Sequence, residues 1–295
     1  MGAYERSEMI ELGGRAALVV GAGRGIGRAI AVALSGAGAR VAVAARTPSE
    51  LEETAALCRD GVVVPFDVAD WDAVSAGVDD AARALGGIDV LVNAAGIYGP
   101  IGPTASVDPV AWAKAIGVNL VGTFNVCRAV IPLMVERGGG RIILLAGGGA
   151  TAPLPFFSAY AASKAGVVRL AETLAEELVP ASIYVNAIAP GLVDTRLQDD
   201  VLAAGKLAGP LLGKIRGARE RGEGAVSPDV AAELVVHLAS DRAKGLTGKL
   251  VAAPHDPWRD WHAPFDEFNA SPLYTIRRVD PHTIGPVSGE LRSSP

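Results

Sequence analysis

The sequence has little cysteine, few aromatic residues and no long uninterrupted apolar run. The 295 residues include only two cysteines, Cys58 and Cys127, and four histidines. We therefore predict neither a disulfide framework nor a metal site. No apolar run approaches the roughly 20 residues that a membrane-spanning helix needs. The first fifteen residues are charged and lack the apolar segment of a signal peptide. We therefore expect a cytoplasmic protein without a membrane partner.

An excess of basic residues is also missing. The formal charge is -5 and the isoelectric point is about 5.5. Affinity for a nucleic-acid backbone comes from clustered Lys and Arg, so we expect no nucleic-acid partner. Half of the chain is hydrophobic, aromatic residues contribute 5%, and 36 residues are glycine. This composition favours a large core with close helix-on-sheet packing over an all-β sandwich.

From residue 15 short apolar runs alternate with longer helical patterns, which is typical of buried parallel strands and their crossover helices. The predicted strands span residues 16–20, 40–45, 62–66, 88–93, 141–145, 182–188 and 249–252. The predicted helices span residues 26–36, 48–59, 71–85, 109–135, 159–179 and 228–240. Right-handed crossovers make this an α/β fold, a doubly wound parallel sheet of about seven strands with helices on both faces.

We predict a single domain over residues 1–253, because no repeat or long polar linker interrupts it. Two segments depart from the alternating pattern. Residues 194–226 contain Gly and Arg and follow the sixth strand, where ligand sites of such sheets lie. Residues 254–295 form a Pro-rich, aromatic tail that either covers an active site or straps the surface.

A glycine-rich stretch follows the first strand and opens the first helix. It consists of Gly21, Ala22, Gly23, Arg24, Gly25, Ile26 and Gly27. Glycines let the backbone approach a ligand closely, and the N–H groups of a helix N-terminus bind phosphate. At this strand-to-helix junction the motif predicts dinucleotide binding rather than a turn without a ligand.

The second strand ends at Arg46 without the acidic residue that typically binds the ribose 2′-hydroxyl of NAD. Arg46, helped by Arg24, is predicted to pair with a 2′-phosphate, so NADP is the preferred cofactor and NAD the alternative. The alternative is that either arginine is simply solvated. Asp67 either accepts from the adenine amino group or caps the helix that begins near Trp71.

Tyr160 and Lys164 stand four residues apart, on one face of a predicted helix. A neighbouring ammonium favours the phenolate and lowers the tyrosine pKa, and such a pair suits proton transfer to or from an alcohol or ketone oxygen. Taken alone, the pair fits an ordinary amphipathic helix better.

Together the motifs resemble the short-chain dehydrogenase/reductase family over residues 13–252. The shared set occurs in the family's order: Gly21, Gly25 and Gly27; Asp67 and Val68; Asn93, Ala94, Ala95 and Gly96; Asn119; Tyr160 and Lys164; Pro190 and Gly191. The resemblance implies a Rossmann-type domain that moves a hydride between nicotinamide and a carbon bearing an alcohol or carbonyl.

The resemblance also implies roles for individual residues. Tyr160 would be the general acid/base, Lys164 would hold the nicotinamide ribose, and Asn119 would anchor a water in the proton relay. Residues 93–96 would line the adenosine side. The nicotinamide would be bordered by Pro190, Gly191, Val193 and Thr195. A homotetramer or homodimer through the helices at 109–135 and 159–179 is expected as well.

One position departs from the family. Its catalytic serine stands thirteen residues before the tyrosine, where this chain has Gly147. Losing a donor to the substrate oxygen typically costs a factor of about 10² to 10³ in turnover. Thr151, Ser158, a backbone N–H, a water or a substrate hydroxyl are the candidate replacements. A nonproductive site is the alternative.

Our leading hypothesis is an NADP-dependent oxidoreductase acting on an alcohol or ketone. We expect a small polar, sugar-like substrate, because a substrate hydroxyl would offset the missing serine. Two alternatives are a nicotinamide-binding protein without turnover, and a non-redox epimerase or dehydratase that retains its cofactor.

Overall fold

The computed structural model describes residues 12–222 and 224–278. The strands are β1 (Ala16–Val20), β2 (Arg40–Ala45), β3 (Val62–Pro65), β4 (Val90–Asn93), β5 (Gly140–Leu145), β6 (Ile183–Ala189) and β7 (Leu250–Ala252). All pairings are parallel, and the order is β3-β2-β1-β4-β5-β6-β7. The predicted doubly wound sheet is confirmed, and its strand order reverses between β1 and β4, where such sheets bind ligands.

Helices cover both faces of the sheet. They are α1 (Gly25–Gly36), α2 (Pro48–Ala56), α3 (Trp71–Leu85), α4 (Pro109–Ile116), α5 (Gly122–Glu136), α6 (Ser158–Leu178), α7 (Leu197–Ala204), α8 (Pro210–Arg221), α9 (Pro228–Ala239) and α10 (Asp266–Ala270). Side chains alternate across each strand, so Leu18 packs in a core with α3, α5 and α6, whereas Val19 packs in a core with α1, α2 and α9. Two cores therefore hold one sheet.

Two predicted helices differ from the observed ones by more than one residue at an end. The helix predicted over 48–59 ends at Ala56, because the next N–H groups, of Leu57 and Cys58, bond three residues back and tighten the last turn. The helix predicted over 109–135 is divided into α4 and α5 by a π-helical turn, Gly117–Val121. Strands β1 and β2 have the predicted ends, and the other five strands shift by one or two residues at one or both ends.

The helical stretch Pro109–Glu136 corrects one expectation. It is 28 residues long and has a mean hydropathy of 1.5 in its most apolar window, so by length and composition it is able to cross a membrane. Counting uninterrupted apolar runs missed it, because Lys114, Asn119 and Arg128 break the runs. Half of that window is buried inside the fold, which is how the core helix of a globular domain also behaves.

The predicted excursion at 194–226 holds α7 and α8. The tail is anchored at the β7 edge of the sheet, where the Lys249 ammonium donates to the carbonyls of Asn269, Ser271 and Leu273. The N–H of Leu250 donates to the Tyr274 carbonyl. Tail residues 269–274 therefore strap this edge. Residues 1–11 of the predicted domain, which include most of the segment judged unlike a signal peptide, and tail residues 279–295 lie outside the described residues.

Candidate active site

A cleft of about 450 Å³ opens at the carboxyl ends of β1, β4, β5 and β6. Most of the residues predicted to bind cofactor or substrate line it: Gly21, Gly23, Arg24, Gly25, Ile26, Gly27, Arg46, Asp67, Val68, Ala94, Ala95, Gly96, Tyr160, Lys164, Pro190 and Thr195. Asn93, Asn119, Gly191 and Val193 are not among the lining residues; Gly191 is exposed and the other three are buried. The fold therefore gathers residues from across the sequence at the point where the strand order reverses.

The glycine loop wraps closely around the start of α1. Gly21 and Gly25 have φ angles of 80° and 56°, which favour glycine. A Cβ at Gly21 would lie 2.5 Å from the Ala95 N, so only glycine fits against the end of β4. The N-cap residue of α1, Arg24, makes no side-chain cap bond, and the first turn holds no acidic residue. The backbone N–H groups at the start of α1 therefore have no side-chain cap, and they fit the pyrophosphate of a dinucleotide.

The two arginines predicted to receive a 2′-phosphate both face carboxylates. Arg46 lies 4.0 Å from Asp67, and Arg24 lies 2.9 Å from Glu50.

Asp67 accepts from the Ala69 N–H (3.0 Å), but the cap of α3 is Asp70, which accepts from the Ala73 N–H. The capping interpretation of Asp67 was therefore wrong.

Asn93 joins the end of β4 to α5 behind the cleft. It is 2% exposed and its amide donates to the Thr123 hydroxyl at 2.7 Å. Its side-chain oxygen accepts from the Ala95 N–H at 3.3 Å. These bonds position the turn that follows, Ala94–Gly96, against the glycine loop.

Asn119 is the centre of the π-helical turn. Its amide donates to the Ile97 carbonyl (2.8 Å) and to the Ser163 hydroxyl (2.9 Å), and its side-chain oxygen accepts from the Ile97 N–H (2.8 Å). A π-helical turn is wider than an α-helical turn and often occurs at functional sites. Here the Asn119 side chain in that turn links the loop after β4 to α6. Asn119 thereby fixes the wall of the cleft beside Lys164.

Tyr160 and Lys164 lie on one face of α6, as their spacing predicts. The Lys164 ammonium donates to the Leu145 carbonyl at 2.7 Å and lies 5.8 Å from the centre of the Tyr160 ring. A Cβ at Gly96 would lie 3.3 Å from Lys164 Nζ and 3.4 Å from Asn119 Oδ1. The glycine therefore leaves a space that both polar groups border.

Burial controls the ionisation of this pair. It lowers the pKa of Lys164 to about 8. It also raises the pKa of Tyr160 above its usual value, with a smaller contribution from Tyr98. The sequence predicts a lowered tyrosine pKa from the neighbouring ammonium; in this structure that prediction is wrong, because the pKa is raised and the cost of desolvating the phenolate is the largest cause. Tyr160 consequently holds its proton at neutral pH.

Gly147 lies directly opposite the tyrosine hydroxyl. A Cβ built on Gly147 would be 2.6 Å from Tyr160 Oη, and the three nearest atoms to it all belong to Tyr160. The Ser158 hydroxyl accepts from the Trp112 indole N–H at 3.1 Å, and Thr151 is exposed. The tyrosine hydroxyl thus occupies the room that any side chain at position 147 would need.

The residues predicted to border the nicotinamide follow β6. Gly191 has a φ of 85°, and a Cβ there would lie 3.0 Å from Pro254 and Val226. The Val193 carbonyl accepts from the Gln198 amide. Thr195 reaches the glycine loop, since a Cβ at Gly25 would lie 3.3 Å from its methyl group. The excursion therefore closes over the loop.

Several cleft residues carry no sequence signal. Glu50, Arg196, Asp199 and Asp200 line the cleft, and each reads as an ordinary charged residue in the sequence. Tyr98, two residues after Gly96, packs edge-on against Tyr160 with ring centres 4.8 Å apart. Among the side chains of residues 12–222 and 224–278, no group of three His, Cys, Asp or Glu is placed to hold a metal ion.

Comparisons with known proteins agree with this geometry. A family model described as short chain dehydrogenase matches residues 15–205. The D-threitol dehydrogenase of Mycolicibacterium smegmatis is 39% identical over 241 residues, which is 80% of this chain and 90% of the relative. A 2-dehydro-3-deoxy-L-rhamnonate dehydrogenase (NAD(+)) of Sphingomonas sp. is 36% identical over 188 residues, 64% of this chain and 76% of the relative.

A solved structure shares the architecture as well. An actinorhodin polyketide ketoreductase with NADPH has a TM-score of 0.74 and 31% identity, covering 81% of this chain and 95% of the other. The matched family model spans well over half of the chain, and the glycine loop fits a dinucleotide. The chain belongs to the short chain dehydrogenase family and is an NAD(P)-dependent oxidoreductase that transfers a hydride between nicotinamide and an alcohol or carbonyl carbon.

Proposed function

We propose that this oxidoreductase acts on a small polyhydroxylated, sugar-like substrate. Two of its relatives are named for such compounds, D-threitol and 2-dehydro-3-deoxy-L-rhamnonate. Asp199 and Asp200 line the cleft that Tyr160 also lines. The Asp199 carboxylate already accepts from Arg219 at 2.7 Å, and carboxylates accept further hydrogen bonds from hydroxyl groups. This polar wall supports a hydroxylated substrate over an apolar ketone.

Tyr160 is the proposed general acid and base. A nicotinamide held in this cleft would supply or accept the hydride, and the chain's own groups handle the proton. Because burial raises the tyrosine pKa, the hydroxyl is protonated at neutral pH and suited to donate to a carbonyl oxygen. Lys164 borders the same space and carries the positive charge that stabilises the phenolate left behind. Asn119 is the proposed anchor for a water beside Lys164.

NADP is the proposed preferred cofactor. No acidic residue ends β2, and Arg46 is mostly exposed, with Asp67 as a partner only at 4.0 Å. Such a weak, solvent-screened pair leaves the guanidinium able to bind a 2′-phosphate in two-point fashion. NAD is the alternative cofactor, because the Glu50 carboxylate beside Arg24 offsets part of the positive charge that would bind a 2′-phosphate.

We also propose that the protein assembles as a homodimer or homotetramer in the cytoplasm. Large apolar side chains are exposed on α5 and on the turn before it: Val121, Phe124 and Val135 are 46%, 48% and 49% exposed. Pairing this face with a second copy would remove them from water. Cys58 and Cys127 are buried free thiols, in keeping with a reducing compartment.

The substitution Tyr160→Phe tests the catalytic assignment. We expect oxidation of D-threitol and related polyols, followed by nicotinamide absorbance, to fall by about 10² to 10⁴, while NADPH binding measured by fluorescence titration is unchanged. Tyr184→Phe, outside the cleft, is the control. Retained turnover in Tyr160→Phe would remove this residue from the mechanism.

The substrate class is tested separately with the unmodified protein. Tetritols, pentitols and apolar secondary alcohols are each offered with NAD⁺ and with NADP⁺. We expect measurable turnover with the polyols. Turnover restricted to apolar alcohols or ketones contradicts the sugar-like substrate, and product formed without net change in nicotinamide absorbance contradicts net redox chemistry.

A further inference from the structure

An acidic side chain reaches the cofactor cleft from an unexpected place. β2 ends without an acid, but Glu50, in the first turn of α2, lines the cleft. A Cβ built on Gly23 would lie 3.1 Å from both the Cβ and the Oε2 of Glu50. The carboxylate is therefore packed against the glycine loop rather than directed into solvent, and its side chain is 24% exposed.

Two arginines from different parts of the chain share this carboxylate. Glu50 Oε1 lies 2.9 Å from a guanidinium nitrogen of Arg24, in the glycine loop, and 3.4 Å from one of Arg196, just before α7. The carboxylate thus links the loop that fits the pyrophosphate to the excursion that closes over it. Its negative charge offsets part of the positive charge that both arginines would offer to an anion.

The position of Glu50 relates it to the ribose end of a dinucleotide. In doubly wound sheets the residue that reads the adenosine ribose stands about 20 residues after the glycine motif, and both Arg46 and Glu50 fall near that separation from Gly27. A carboxylate there accepts hydrogen bonds from a ribose 2′-hydroxyl, whereas it repels a 2′-phosphate. Arginine has the opposite preference.

An ordinary structural role does not account for these contacts. An acidic residue in the first turn favours a helix through the helix dipole, but that requires only the sequence position. Glu52 and Glu53 share the helix: Glu52 is exposed, and Glu53 pairs on the surface with Arg28. Of these three carboxylates only Glu50 lines the cleft.

We propose that Glu50 is a specificity-determining residue that disfavours the 2′-phosphate and so weakens the preference for NADP over NAD. Its carboxylate neutralises Arg24 and Arg196 and accepts from the 2′-hydroxyl of an unphosphorylated ribose. Among the described arginines that line the cleft, Arg46 then has the most distant carboxylate partner, Asp67 at 4.0 Å. The inference rests on the proposed cofactor use of this cleft.

The test is direct binding of NADPH and of NADH to Glu50→Gln by fluorescence titration, without substrate. We expect the ratio of the two dissociation constants to shift about fivefold toward NADPH, which is the upper end of what the loss of one partly exposed ionic interaction allows. Glu52→Gln removes the same charge from the same helix and is expected to leave the ratio within twofold of the unmodified protein.

The outcomes separate the two proposals. If both cofactors bind and Glu50→Gln leaves the ratio unchanged, or shifts it toward NADH, the role of Glu50 is refuted while cofactor use stands. If the unmodified protein binds neither cofactor, the proposed cofactor use itself fails. An equal shift in Glu52→Gln would reduce the effect to net charge and also refute a specific role for Glu50.

Discussion

The contact between Gly147 and Tyr160 gives the sharpest prediction. Gly147 has φ and ψ of 165° and 169°, an extended conformation that any residue adopts. Gly147→Ala therefore introduces no backbone strain, and its effect comes from the added methyl group. That methyl group would lie 2.6 Å from Tyr160 Oη.

The magnitude follows from that distance. Non-bonded heavy atoms pack best at about 3.5 Å or more, so the tyrosine hydroxyl has to withdraw by about 0.5 to 1 Å. Misplacing a reacting group by about 1 Å costs up to about 10²-fold in rate. We expect kcat for polyol oxidation to fall about 10- to 100-fold in Gly147→Ala, with the dissociation constant for NADPH unchanged.

The matched control is Gly148→Ala, in the same loop, where an added Cβ meets nothing within 4 Å; its kcat is expected to stay within twofold. Gly147→Ser carries the same Cβ and is also expected to lose activity. Full activity in Gly147→Ala would refute the steric reasoning. A gain in Gly147→Ser would show that a missing hydroxyl donor, rather than room for Tyr160, limits turnover.

Two further predictions concern stability. Burial lowers the pKa of His237 to about 4, below its unfolded value, so its contribution is complete above about pH 6.5 and is lost as the pH falls toward 4. Urea titrations should show that the free energy of unfolding falls by about 1 to 2 kcal/mol between pH 7 and pH 5, and that this fall is absent in His237→Phe. An equal fall in the variant would show that His237 is not its cause. Lys249→Met removes three charge-assisted bonds to tail carbonyls and should cost about 2 kcal/mol, with faster amide exchange at 269–276; unchanged exchange there would show that Lys249 does not anchor the tail.

The sequence by itself determined the parts of this protein that depend on local pattern. Alternating apolar runs predicted all seven strands within one or two residues, because burial on both faces leaves a continuous apolar signature. The glycine loop was also predictable from the sequence, since the positive φ at Gly21 and Gly25 favours a residue without a Cβ. The spacing of Tyr160 and Lys164 correctly placed both on one face of α6.

Only the tertiary structure decided the chemistry of those residues. Spacing along α6 shows a tyrosine beside a lysine, but the sign of the tyrosine pKa shift depends on how much water the surrounding elements exclude, and burial is the largest cause of the raised pKa. Likewise, Glu50 meets Arg196, 146 positions away, and Gly147 meets Tyr160, only because β5, α6 and the excursion converge at one end of the sheet. The first contact joins elements distant in the chain, and the second depends on how the loop between β5 and α6 folds back on the helix, so no local pattern records either.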